Sequence, residues 1–168
     1  MVSTPATEPL AGLFVNRALG EVLGRSQWHE ITQDMISRFG NVTLDEDPLH
    51  VDPHWAKDHS PYGRTIAFGF LTVALLTRLL HEALGTQFVT DPANEGVYLN
   101  YGFDRLRLVA PVPAGSRIRG LFAFGGSQRD TRARQILKMD VTVEIEGVAR
   151  PALVGRWLFV WLPPDSLA

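Results

Sequence analysis

The 168-residue sequence has no cysteine. That excludes a disulfide scaffold, a thiol nucleophile and cysteine-ligated zinc, and it is compatible with a reducing cytoplasm, which is the expected location. Lysine is almost missing too, since 14 of the 16 basic residues are arginine and no long basic block occurs. With a formal net charge of -2 the chain carries no electrostatic footprint for nucleic acid. There is no apolar run long enough to cross a bilayer, which takes about 20 residues. The nearest approach, "TIAFGFLTVALLTRLLHEALG" at 65–85, is interrupted by Arg78, His81 and Glu82, so no membrane partner is expected. The opening "MVSTPATEPLAGLF" lacks a basic region followed by a long apolar one, and no signal peptide is expected. Repeats, low-complexity tracts and linkers are missing as well. One domain over residues 11–168 with a loose arm at 1–10 is the resulting expectation.

What the chain does contain is ordinary globular material: 45% hydrophobic and 20% charged residues, enough for one self-sufficient core at this length. Residues 65–85 read as one long helix, apolar on nearly every side, with Gly69 in its first turn and Gly85 as its C-cap. Such a helix must be enclosed by other elements. From residue 97 the pattern changes to period two. In "KMDVTVEIEG", Met139, Val141, Val143 and Ile145 share one face, and Lys138, Asp140, Thr142 and Glu144 the other. Glu146-Gly147 is a turn signal, "RPALVGRWLFVWLP" a returning strand, and "GVYLNYGFDRLRL" and "SRIRGLFAFGG" two more. Four long strands after one buried helix predict an α+β domain, with a curved antiparallel sheet wrapped around that helix.

Ahead of the helix, "ITQDMISRFGNVT" predicts a short amphipathic helix capped by Thr32, and "DPHWAKDH" another, with Asp52 as cap and Pro53 at its first position. Between them lies "LDEDPLHVD", four acidic side chains and a histidine in nine residues. Pro48 prevents a regular helix through the loop, so Asp45 and His50 can turn toward one point. A carboxylate near an imidazole raises its pKa and an apolar cavity lowers it, which can poise the pair near neutrality as a base for water. Spacing alone favours a solvated acidic turn. The alternation His50, Asp52, His54 raises the question of a metal, but a helix start at Asp52-Pro53 points the three side chains apart, and no metal is expected.

"DEDPLHVDPHWA" followed by "YGRTIAFGFLTVALLTRLL" resembles the hydratase motif of MaoC-like and NodN-like proteins, the (R)-specific enoyl-CoA hydratases of the hot-dog fold. That motif runs D-x-N-P-[IL]-H-x-D-x-x-x-A, then a loop, then I-x-H-G opening a long apolar helix. The matching positions are Asp45, Pro48, Leu49, His50, Asp52, Ala56, Ile66 and Gly69, and the likeness extends to both flanks. The resemblance implies a hot-dog helix wrapped by an antiparallel sheet, a homodimer with continuous sheets, and an acyl thioester of CoA or a carrier protein as substrate, with no cofactor. It implies that Asp45 and His50 hold and activate water for addition to a trans-2-enoyl thioester, and that the Gly69 amide donates to the thioester oxygen. Glycine at a helix N-terminus suits that task, because unpaired N–H groups and the dipole favour negative charge there. Thr77 matches a position that carries a pocket-facing hydroxyl in some relatives; packing within the core serves it equally.

Three positions depart from the pattern. Asp47 stands where an amide is usual and is a candidate substrate contact or proton donor, Phe68 replaces the usual histidine, and Leu44 replaces a common glycine. These departures keep open a specialised dehydratase or cyclase of a biosynthetic pathway, such as polyketide or other secondary metabolism. A non-catalytic acyl-binding module is the alternative from another class. A hot-dog thioesterase is disfavoured by the D-x-x-P-L-H pattern.

Overall fold

The computed structural model describes residues 14, 16–86, 91, 94, 96–132 and 134–164. The arm expected at 1–10 lies outside them. In chain order the elements are β1 (Val22–Arg25), β2 (His29–Glu30), α1 (Gln33–Thr43), α2 (Pro48–Val51), α3 (Pro53–His59), α4 (Gly69–Ala74), α5 (Leu76–Leu84), β3 (Val97–Leu108), β4 (Arg117–Arg129), β5 (Gln135–Ile145) and β6 (Val148–Leu162). Among the described residues they form one antiparallel six-stranded sheet in the order β1-β4-β5-β6-β3, with β2 added beside β4.

The period-two pattern in β5 is realised as expected. Met139, Val141, Val143 and Ile145 are buried, and Lys138, Asp140, Thr142 and Glu144 are half-buried on the other face. Ile145 pairs with Val148 across the Glu146-Gly147 turn, where Gly147 takes a positive φ of 73°. The buried face meets Leu71, Leu76, Leu79 and Leu80 from the two helices in one core, which also takes Phe122, Leu153 and Trp157.

The helix differs from its expected form in three respects. Residues 65–68 are extended, because their amides are already committed: Ile66 N–H donates to the Leu49 carbonyl and Ala67 N–H to the Val112 carbonyl. Helix therefore begins only at Gly69, after Phe68 at ψ 136°. It is also divided in two at Leu75, which stays in the right-handed region at ψ -13°. Finally, it is not enclosed all round, since Phe70, Ala74 and Arg78 repeat every four residues along one exposed stripe.

Both expected N-caps form, and Gly85 closes α5 in the left-handed region. The Thr32 hydroxyl accepts from Met35 N–H and the Asp52 carboxylate from His54 and Trp55 N–H. At the far end of α1, Leu44 occupies the left-handed region (φ 58°, ψ 29°) with its side chain 89% exposed. An L side chain there costs about 1 kcal/mol and gains nothing from burial. Leu44→Gly is therefore expected to raise stability by about 0.5–1 kcal/mol, which urea unfolding at unchanged m-value would register.

Candidate active site

The short helices and the extended stretch before α4 converge on one place. Gly40 inside α1 makes this possible: a Cβ there would lie 2.8 Å from the Asp45 carbonyl oxygen and 2.9 Å from a Val51 methyl, so its absence lets the acidic loop lie directly on the helix. The loop then turns into α2, a single turn opened by Pro48 and capped by Asp47, whose Oδ1 accepts from Leu49 N–H at 2.9 Å. His50 sits in that turn.

The environment of His50 determines its tautomer. Nδ1 lies 2.7 Å from the Ile66 carbonyl oxygen, and a carbonyl can only accept, so Nδ1 carries the hydrogen and the neutral ring keeps its lone pair on Nε2. One face of the ring packs on Phe68, with centroids 3.9 Å apart and planes at 34°, and Phe68 packs in turn on Phe39. The backbone is tied as well. The Gln33 amide donates to the His50 carbonyl at 2.8 Å, and Gln33 Oε1 accepts from the buried Thr65 hydroxyl at 2.5 Å. One side chain of α1 thus binds the histidine's own segment to the segment whose Ile66 carbonyl orients its ring.

His50 and Gly69 line one cavity of about 220 Å³, together with Thr72 and the aliphatic Ile66, Leu108, Val112 and Ala152. Gly69 is the first residue of α4, so its amide precedes the first intrahelical acceptor, and Phe68 offers no side-chain cap. The Leu108 side chain closes over it: a Cβ at position 69 would lie 2.2 Å from Leu108 Cδ1.

The other sequence candidates are not among the residues that line this cavity. Asp45 is exposed, its amide donates to the Gly40 carbonyl, and its Oδ1 accepts weakly from Asp47 N–H at 3.4 Å. It is not hydrogen-bonded to His50, whose Nδ1 is taken by Ile66. Asp47 is an exposed cap, a role an amide fills equally well. Thr77 lies half-buried on α5 and does not line the cavity. His54 and His59 are exposed on α3. Among the described residues no three His, Asp or Glu side chains are grouped to hold a metal, and no helix is long and apolar enough to cross a membrane.

Sequence reading passed over Gln33, Thr65 and Thr72. Thr72 had a usable signal, standing three residues after Gly69 and hence on its helix face. Gln33 and Thr65 had none, since their partners lie 17 and 32 residues away from Gln33.

Comparison with known proteins gives a consistent result. The family model described as "MaoC like domain" matches residues 14–149. Nodulation protein N of Rhizobium leguminosarum bv. viciae is 38% identical over 142 residues, covering 84% of this chain and 85% of that protein. The 3-hydroxyacyl-thioester dehydratase Z of Mycobacterium tuberculosis is 39% identical over 139 residues, covering 83% and 87%. Among solved structures, the (R)-hydratase from A. caviae involved in PHA biosynthesis superposes with a TM-score of 0.66 at 20% identity, over 86% of this chain and 97% of that one. The last likeness establishes the shared hot-dog fold.

Proposed function

The chain belongs to the MaoC-like domain family, and from that premise we propose that it is a hydro-lyase adding water to a trans-2-enoyl thioester, or removing it from the (R)-3-hydroxyacyl thioester. The observation that carries the reading is the cavity shared by His50, with its lone pair on Nε2, and Gly69, with an amide at a helix N-terminus. The name of the M. tuberculosis relative supports the same substrate class.

In the proposed hydration the thioester oxygen accepts from the Gly69 amide and C3 faces His50. Water forms its C–O bond at C3 while His50 Nε2 takes one of its protons. The C2=C3 electron pair moves toward the thioester, and its charge collects on the oxygen at the Gly69 amide. A proton returned to C2 completes the addition. Asp45 holds the water from the other side, a role that asks for a carboxylate not already bonded to the imidazole. Asp47 serves as the cap of α2, and Thr77 has no part in these steps.

We also propose a homodimer. β3 is a sheet edge with Leu99, Tyr101 and Leu108 exposed, and a second copy paired along it would make two sheets continuous.

Crotonyl-CoA is the direct test. The purified protein is expected to bleach the conjugated enoyl thioester absorbance and to yield (R)-3-hydroxybutyryl-CoA on chiral analysis. Inertness toward crotonyl-CoA and longer trans-2-enoyl-CoAs would reject a general hydratase. One observation favours a specialised dehydratase as second reading: Phe68, which stands in place of the histidine of the resembled I-x-H-G motif, lies against His50. Turnover confined to a larger biosynthetic thioester would decide for it.

A further inference from the structure

Thr72 is a buried residue whose hydroxyl has no protein partner and opens onto the cavity instead of being sealed within the protein. The residue is 4% exposed, yet among the described residues its side chain makes no hydrogen bond. It does not even form the back-bond to the Phe68 carbonyl that threonines within helices commonly make; that carbonyl accepts from the Thr72 amide instead. A hydroxyl that faces a cavity with no protein partner takes its hydrogen bonds from whatever fills that cavity, water or ligand. Thr72 lines the cavity of His50 and Gly69, whose other walls are largely aliphatic. Valine has the same shape and would fill this place in a purely apolar tunnel.

We propose that Thr72 is a substrate-selecting residue, and that the cavity takes acyl thioesters bearing an oxygen on C4 or C5. The inference rests on the hydro-lyase reading for its anchor, the thioester oxygen at the Gly69 amide. Thr72 lies three residues further along α4, which is about 4.5 Å along the helix axis. An extended acyl chain covers that length in about three to four bonds from the thioester carbon. An oxygen at that depth meets a hydroxyl that can both donate and accept, so keto and hydroxy substituents both fit. An unsubstituted chain leaves Thr72 unpaired.

The test uses saturated thioesters, which cannot be hydrated, so that binding is read apart from chemistry. Calorimetric titration of the wild type is expected to give a Kd about tenfold lower for 4-oxopentanoyl-CoA than for pentanoyl-CoA. Thr72→Val should abolish the difference, and Thr72→Ser should keep most of it. Because its hydroxyl has no partner in the fold, Thr72→Val is also expected to melt at or above the wild-type temperature. Equal affinity of the wild type for the two thioesters, a preference that survives in Thr72→Val, or a Thr72→Val protein melting several degrees lower would each overturn the proposal. Turnover of crotonyl-CoA by the wild type separates the two readings. Activity without the binding preference rejects the role of Thr72 and keeps the hydro-lyase; the preference without turnover of crotonyl-CoA keeps the role of Thr72 and rejects the general hydratase. Failure to bind either thioester rejects both.

Discussion

Asp45→Asn and His50→Ala are each expected to lower kcat for enoyl-thioester hydration by about two to four orders of magnitude, the range for loss of a positioned acid or base. The two variants differ in what else they disturb. Asp45 is exposed, and among the described residues its carboxylate receives only the long 3.4 Å contact from the Asp47 amide, so Asp45→Asn should fold and melt like the wild type. His50→Ala also removes the hydrogen bond to the Ile66 carbonyl and the contact with Phe68, so a lower melting temperature is expected beside the kinetic loss. Asp45→Asn is therefore the cleaner test of chemistry. If both groups act on one water, the double variant should be little worse than the weaker single one, because groups that act as a unit are not additive. Wild-type turnover by Asp45→Asn would remove that carboxylate from the mechanism and leave His50 to act alone.

The sheet and the caps were legible in the sequence because each is written in neighbouring residues. Alternation in β5 needs only the next residue but one, and Thr32 and Asp52 cap amides two or three residues away. What was misread depends on partners distant in the chain. Residues 65–68 carry the same apolar composition as the helix after them, yet their amides bond to Leu49 and Val112, and no helix can form there. The same limit affects the site. His50 and Gly69, which the family resemblance groups, line one cavity. The direct pairing that five-residue spacing suggested for Asp45 and His50 does not form, because α2 turns the ring toward Ile66. Gln33 shows the limit most plainly. It sits in the first turn of α1 and reads as ordinary helix surface, while its amide joins the His50 and Thr65 segments.

The Gly69 amide can be tested by a substitution that removes it and little else. Proline is well tolerated at the first position of a helix, where its missing N–H has no intrahelical acceptor to lose. The residue before a proline is restricted to extended conformations, and Phe68 already has φ -57° and ψ 136°. The one local obstacle is steric: a Cβ at position 69 reaches within 2.2 Å of Leu108 Cδ1. That atom is the end of a half-exposed side chain that can rotate, and Gly69→Ala meets the same obstacle while keeping the amide. Comparing the two variants cancels the steric term. Gly69→Pro is expected to turn over about two to three orders of magnitude more slowly than Gly69→Ala, the value of one oxyanion donor at about 3–4 kcal/mol. The loss should appear in kcat rather than in KM, since charge gathers on the thioester oxygen only as the new bond forms. Equal kcat in the two variants would mean that the charge is stabilised elsewhere, and the next amide of α4, that of Phe70, would become the donor to test.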